Sequence, residues 1–177
     1  EKEHNAAIAF AGDIGWTFFD TVRIGGKYLV ASGDPNRTDG RFATFTNLFA
    51  ANHYIMGLAD LQSWQNMVGR SGNVTIYLGK YGRLRLAYWD VNKHKLQDSW
   101  YAISGAARAG ATTESASNAR FGDAANADGT TSLGASRLRR NLYQEYDIEW
   151  QINVDGFFVE LGYSLIHAQD AVGAIND

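Results

Sequence analysis

Four cations, Arg23, Lys27, Arg83 and Arg85, sit at odd positions in two stretches where apolar and polar residues alternate. Glu145, Asp147 and Glu149 repeat that spacing in a third stretch, and Glu160 follows on the polar parity of the next. Side chains two residues apart on an extended chain project from one face. Arginines placed this way can grip carboxylates through paired N–H···O bonds, and charged walls of this kind set ion selectivity in pores. Two readings stand side by side: the charges guide an anionic ligand, or they pair across strands and stiffen a wall. His53 and Asp60 invite a catalytic reading, but nothing in their spacing brings a general base to a partner. Ser32 lies in Ala31-Ser32-Gly33 and not in a Gly-x-Ser-x-Gly elbow. No enzyme activity and no cofactor are expected. Asp34, Asn36 and Asp39 have the composition of a calcium loop without the EF-hand register; an Asx-rich turn explains them more simply, as it does Asp123, Asn126 and Asp128, and no metal is expected.

The composition limits what can carry these residues. The net charge of -3 leaves no basic excess to neutralise phosphates, which argues against a nucleic-acid partner. There is no Cys, so thiolate metal sites and disulfides are excluded. With 19 Gly, 1 Pro and 13% aromatic residues, the chain favours strands joined by many turns. No run approaches the length of a membrane-spanning helix. A mean hydropathy of -0.29 reads as soluble, but a barrel strand hides its apolar face from such an average because every second residue is polar. The chain starts at Glu1, which reads as a processed or truncated start.

Separating odd from even positions yields the elements. Ile8, Phe10, Ile14, Trp16 and Phe18 share one parity; Ala9, Ala11, Asp13 and Thr17 share the other. The same two-faced pattern predicts strands at about 7–18, 22–31, 74–80, 83–90, 142–153 and 157–167, in three hairpins. Long connections run at about 32–73 and 91–141. Strands near ten residues exceed the ordinary five or six and match what a bilayer core needs. Short turns at one end and long loops at the other are the asymmetry of an outer-membrane barrel, and Trp16, Phe18, Phe19, Tyr77, Tyr81, Trp150 and Phe157 would form an interfacial girdle. Within the first loop, Leu58 to Val68 is expected to form a short helix. The fold class is therefore all-β: a partial transmembrane antiparallel β-barrel, one domain over 1–177, with two long extracellular loops. The alternative is a soluble or surface β-sandwich that binds carbohydrate through exposed Trp64, Trp89 and Trp100.

The first long loop carries a recognisable run. Tyr28-Leu-Val-Ala-Ser-Gly-Asp34, Asp39-Gly40, Thr44-Phe45-x-Asn47, Asn52-His53, and Gly57-x-x-Asp60-Leu61-x-x-Trp64-x-Asn66-Met67 together resemble the signature of alginate-export outer-membrane proteins. Asp98-x-Trp100-Tyr101 and Gln144-Glu145-Tyr146-Asp147 resemble its later part. Two features depart from that pattern: Ala50-Ala51 stand where Pro-Thr is usual, and residues 108–134 look like an insertion. The resemblance implies a location in the bacterial outer membrane, contact with its lipid, an anionic polysaccharide or oligosaccharide as cargo, and periplasmic export partners. Family barrels are longer than six strands, so the chain is expected to be the C-terminal part of one.

Overall fold

The computed structural model describes residues 4–35, 40–48, 55–96, 98–109 and 140–169. Six long strands form one sheet: β2 (Ala9–Phe18), β3 (Val22–Ala31), β5 (Met67–Tyr77), β6 (Arg83–Lys93), β9 (Asn141–Val154) and β10 (Phe157–Ala168). Each pairs antiparallel with the next in sequence. The result is an up-and-down meander, open between β2 and β10 among the described residues. Among the described residues there are also four short strands. β1 (His4–Asn5) pairs with β4 (Arg41–Phe42), and β7 (Trp100–Tyr101) pairs with β8 (Ala107–Ala109).

The hairpin turns follow from local chemistry. Asp155 and Gly156 both adopt positive φ, 48° and 86°, the left-handed pair that matches strand twist in a two-residue turn. Phe19 and Asp20 do the same at 49° and 53° without glycine. Between β5 and β6 a 3-10 turn spans Gly79–Tyr81. Gly82 closes it at φ 87°, where a Cβ would lie 1.9 Å from the Gln151 carbonyl oxygen.

The two faces of the sheet invert the rule of a water-soluble protein. Ile14, Trp16, Ile24, Leu86, Ile148, Leu161 and Tyr163 stand exposed on one face. The other face buries Glu145, Asp147, Glu149, Asn73 and Thr75. Charges are rarely buried unless paired, and a contiguous bare apolar surface marks contact with another apolar phase. Register shows that this bare belt does not run along the hydrogen-bonded rows. In β2 it reaches from Phe18 up to Phe10. In β6 it ends at Tyr88, and in β9 it runs from Tyr146 down to Val154. The belt therefore slides toward the short turns from β2 to β10, as it must where strands cross a bilayer at a tilt.

A hydrophobic cluster lies on the opposite, covered face, in the half nearer the long loops. Leu29, Ala31, Met67, Trp89, Val91 and Tyr143 of the sheet pack there with Met56 and Trp100 of the loops. Trp89 and Trp100 are thus buried and not displayed for carbohydrate, and Trp64 is half-buried with its ring 5.5 Å from Phe45. With a single long sheet and these indoles inside, the described residues do not form the alternative sandwich.

Several boundaries differ from the alternation. β5 starts at Met67 and not near Val74, because Arg70 and Gly72 interrupt the apolar parity while the ladder to β3 continues through Ala31 and Met67. The long connections are accordingly 32–66 and 94–140. Arg70 is then a charge on the bare face, opposite Asp90. No helix covers 58–68: Asp60 and Asn66 have positive φ, 48° and 45°, which a right-handed helix cannot contain. Tyr77 points to the covered face and is not part of the girdle, whereas Trp150 is held at the turn end by its Nε1–H donating to the Tyr81 carbonyl at 3.0 Å.

Long loops and short turns lie at opposite ends of this meander. Single cysteines at Leu48 and Ser104, both exposed in the long connections, should react with an impermeant maleimide on intact cells. Cysteines at Asp20 and Asp155 should react only after lysis. Labelling of the turn positions first would reverse the orientation.

Candidate functional site: the charged half of the covered face

Below the hydrophobic cluster, toward the short turns, the covered face opens into a cavity of about 410 Å³. Arg23, Lys27, Arg83, Arg85, Glu149 and Glu160 all line it. Asp13, Asn73, Thr75, Tyr77 and Gln151 join them from the same parity of their strands, and Leu58 enters from the first loop. Asp13 was legible from its odd position in β2; Leu58 carries no such signal. Four cations and three carboxylates (Asp13, Glu149, Glu160) therefore share one space.

The charges are interleaved and do not form a basic wall facing an acidic one. β6 and β9 are neighbours, and register sets Arg85 beside Glu149, with Nη1 3.6 Å from the carboxylate. Arg83 donates through Nε to Gln151 Oε1 at 2.6 Å, and Gln151 Nε2 donates to Glu160 at 2.7 Å. Arg23 lies flat on the sheet between Asp13 and Asn73, donating to both. Gly15 and Gly25 make room for it: a Cβ at either would stand 2.5 Å from the guanidinium. Some donors remain uncommitted. Arg85 Nη2 and Asn73 Nδ2 are buried and have no hydrogen-bond partner among the described residues. In a native fold such groups meet water or a ligand.

Glu145 and Asp147 lie above this cavity and hold a loop. The backbone N–H of Ala59 donates to Glu145 Oε1 at 2.8 Å, and that of Leu58 donates to Asp147 Oδ2 at 3.3 Å. Ser164 Oγ donates to Asp147 at 2.6 Å. Glu145 is 1% exposed, and Gly57 fits against it only because it lacks a Cβ, which would fall 2.3 Å from the carboxyl carbon. These hydrogen bonds offset part of the cost of burying the two acidic side chains.

The motif residues of the first loop form a knot at the loop ends of β3, β5 and β6. Asn66, 1% exposed, donates through Nδ2 to the carbonyls of Lys95 and Ser99, and its Oδ1 accepts from the Lys95 N–H at 2.7 Å. Asp98, absent from the sequence-based candidates, is the second centre. It accepts from the Asp34 N–H at 2.8 Å, from Thr44 Oγ1, from the Ser99 N–H and from the Tyr101 hydroxyl at 2.7 Å. His94 Nδ1 accepts from the Gly33 N–H at 3.2 Å. Burial, then Lys95 and Arg140 nearby, holds the His94 pKa below its ordinary value, which keeps that acceptor neutral. Asn47 and Asp60 are half-buried in the same loop. Asn36, Asp39, Asn52 and His53 lie outside the described residues, as do Asp123, Asn126 and Asp128. Among the described residues no group of three or more His, Asp or Glu side chains is placed to hold a metal.

A sheet that buries Glu145, Asp147 and Glu149 and half-buries Arg23 and Arg85 on one face, and bares a tilted belt of aliphatic and aromatic side chains on the other, is the wall of an outer-membrane β-barrel. No helix among the described residues is long and apolar enough to cross a membrane, and in this architecture strands do the crossing. The chain matches the model of the alginate export family over residues 1–167 and belongs to that family. Neither a curated protein nor a solved structure matches it. The family is one of outer-membrane barrels concerned with polysaccharide export.

Proposed function

We propose that this chain forms part of a porin-like channel of the Gram-negative outer membrane. It passes an anionic polysaccharide, its oligomers or small solutes by diffusion through a charged lumen, without covalent chemistry and without a cofactor. The observation that carries the reading is the cavity that gathers Arg23, Lys27, Arg83 and Arg85 on the face opposite the apolar belt. Low-dielectric walls focus the field of such a cluster and raise the local concentration of carboxylates. The uncommitted donors of Arg85 and Asn73 suit transient contact with uronate or hydroxyl oxygens. Periplasmic export partners would meet the short-turn end, nearest this cavity.

Single-channel reversal potentials under a salt gradient test the reading. The variant carrying Arg83→Gln and Arg85→Gln should lose anion preference, and Glu149→Gln with Glu160→Gln should shift preference toward anions. Both shifts should shrink at 1 M salt, where the screening length is about 3 Å. Unchanged potentials in both double variants would reduce these side chains to ion pairs that stiffen the wall.

A further inference from the structure

The bare face carries a feature that neither the lumen nor a featureless lipid contact requires. Within the apolar belt an open trough of about 530 Å³ runs between β5, β6, β9 and β10, walled by Val74, Leu86, Tyr88, Tyr146, Ile148 and Tyr163. Its floor is Gly72, where an added Cβ would meet no heavy atom within 4 Å. Tyr88 and Tyr146 stand side by side at its upper end, ring centroids 5.1 Å apart. One outward step up the strands, about 7 Å for two residues, the surface changes from apolar to polar. A shallow cavity there is lined by Arg70, Asp90, Asn92, Arg140, Gln144 and Gln169. Register places Arg70 directly above Gly72 on β5, Asp90 above Tyr88 on β6 and Gln144 above Tyr146 on β9.

We propose that this two-part site binds a phosphate-bearing lipid of the surrounding membrane, with an acyl chain in the Gly72 trough and the phosphate between Arg70 and Arg140. The charge balance of the crown favours an anion: two guanidinium groups stand against one carboxylate, Asp90. That carboxylate is already engaged by Asn92 Nδ2 at 2.7 Å. Arg70 lies 4.0 Å from it with its side chain 65% exposed, a pairing weak enough to yield to a phosphate. Among the described residues Arg140 donates to the His94 carbonyl at 3.4 Å, a long bond that a phosphate can replace. Arginine binds phosphate through its planar fork, and the crown sits where the apolar belt ends, at headgroup level. A second copy of the chain would need an apolar contact across the whole belt, and two like-charged crowns facing each other disfavour it.

The test uses the full-length protein in non-ionic detergent, with native mass spectrometry after graded addition of three probes. These are dioleoyl phosphatidylglycerol, dioleoylglycerol with the same chains and no phosphate, and glycerol 3-phosphate with no chains. The expected result is retention of phosphatidylglycerol about tenfold above either fragment. Arg70→Gln with Arg140→Gln should bring phosphatidylglycerol down to the dioleoylglycerol level. Gly72→Leu, whose Cβ has open space around it and whose isobutyl group would occupy the trough, should weaken both chain-bearing probes. Heat-modifiable migration on gels reports that each variant is folded, and both alter positions open to the surface. Equal retention of phosphatidylglycerol and dioleoylglycerol would overturn the proposal. So would retention of glycerol 3-phosphate as strong as that of the lipid, or a dimer in place of bound lipid that Gly72→Leu abolishes.

Discussion

A Leu86→Arg variant folded into lipid vesicles is expected to lose about 2–4 kcal/mol of stability. Leu86 occupies the middle of the bare stretch of β6, with Leu84 on the turn side, Tyr88 on the loop side and Asp90 marking the polar edge beyond. Its row across the sheet is Trp16, Ile24, Val74, Ile148 and Tyr163, all uncharged. A guanidinium there cannot easily reach headgroups at either side, so it must be dehydrated or must thin the bilayer around it. The opposite expectation holds if the sheet stands in water. Leu86 is 44% exposed, and a surface substitution away from special features moves stability by only about 0.5 kcal/mol. Urea titration of vesicle-folded protein, extrapolated linearly, separates these outcomes. Ile14→Arg and Ile148→Arg should follow Leu86→Arg, while Asp155→Arg in the exposed turn should not. Wild-type stability in all three belt variants would remove the bilayer from the account of this fold.

How much of this was readable in advance depends on where information sits in a strand. β2, β3, β9 and β10 were legible because their two parities differ sharply, as in Ile8 to Phe18 against Ala9 to Thr17. The first half of β5 was not, since Gly69 and Gly72 have no side chain to show a face and Arg70 belongs to the polar crown. Parity also placed Arg23, Lys27, Arg83, Arg85 and Glu149 on one face, and the structure gathers them in one cavity. It could not pair them. The stretch from His94 to Arg140 that joins β6 to β9 leaves their register unspecified in sequence, and register is what sets Arg85 beside Glu149. Backbone donors leave no trace in a sequence at all, so the contact of Leu58 and Ala59 with the acidic pair was invisible. Asn66 and Asp98 stood in motif-like runs, yet their role as hydrogen-bond centres depends on loops that meet only in three dimensions. The helix expected at 58–68 failed for a related reason: apolar spacing at Leu58, Leu61 and Met67 was outweighed by turns at Asp60 and Asn66.

Removing the carboxylates that hold the first loop should change conductance more than removing any lumen cation. Glu145→Ala with Asp147→Ala deletes the acceptors of the Ala59 and Leu58 N–H groups. Each such hydrogen bond contributes roughly 0.5–1.5 kcal/mol net, and leaving a buried N–H without its acceptor adds to the loss. Part of that is returned when the two acidic groups no longer need burying. The net shift favours the detached loop by about tenfold to a hundredfold in its equilibrium, at about 1.4 kcal/mol per factor of ten. Leu58 lines the charged cavity, and its Cδ1 lies 3.1 Å from where a Cβ on Gly162 would stand, so detachment widens the passage between the loop and β10. Single-channel recordings should therefore show a larger mean conductance or frequent transitions to a wider level. A cysteine at Ala59 should become reactive in that background. Gly57→Val should act in the same direction, because its side chain would occupy the space of the Glu145 carboxylate. Glu145→Gln with Asp147→Asn keeps two acceptor oxygens in place and should stay close to wild type, which separates the bonding role from simple loss of charge. Unaltered conductance and an unreactive Ala59→Cys in both the alanine pair and Gly57→Val would mean that the knot at Asn66 and Asp98 alone fixes the loop.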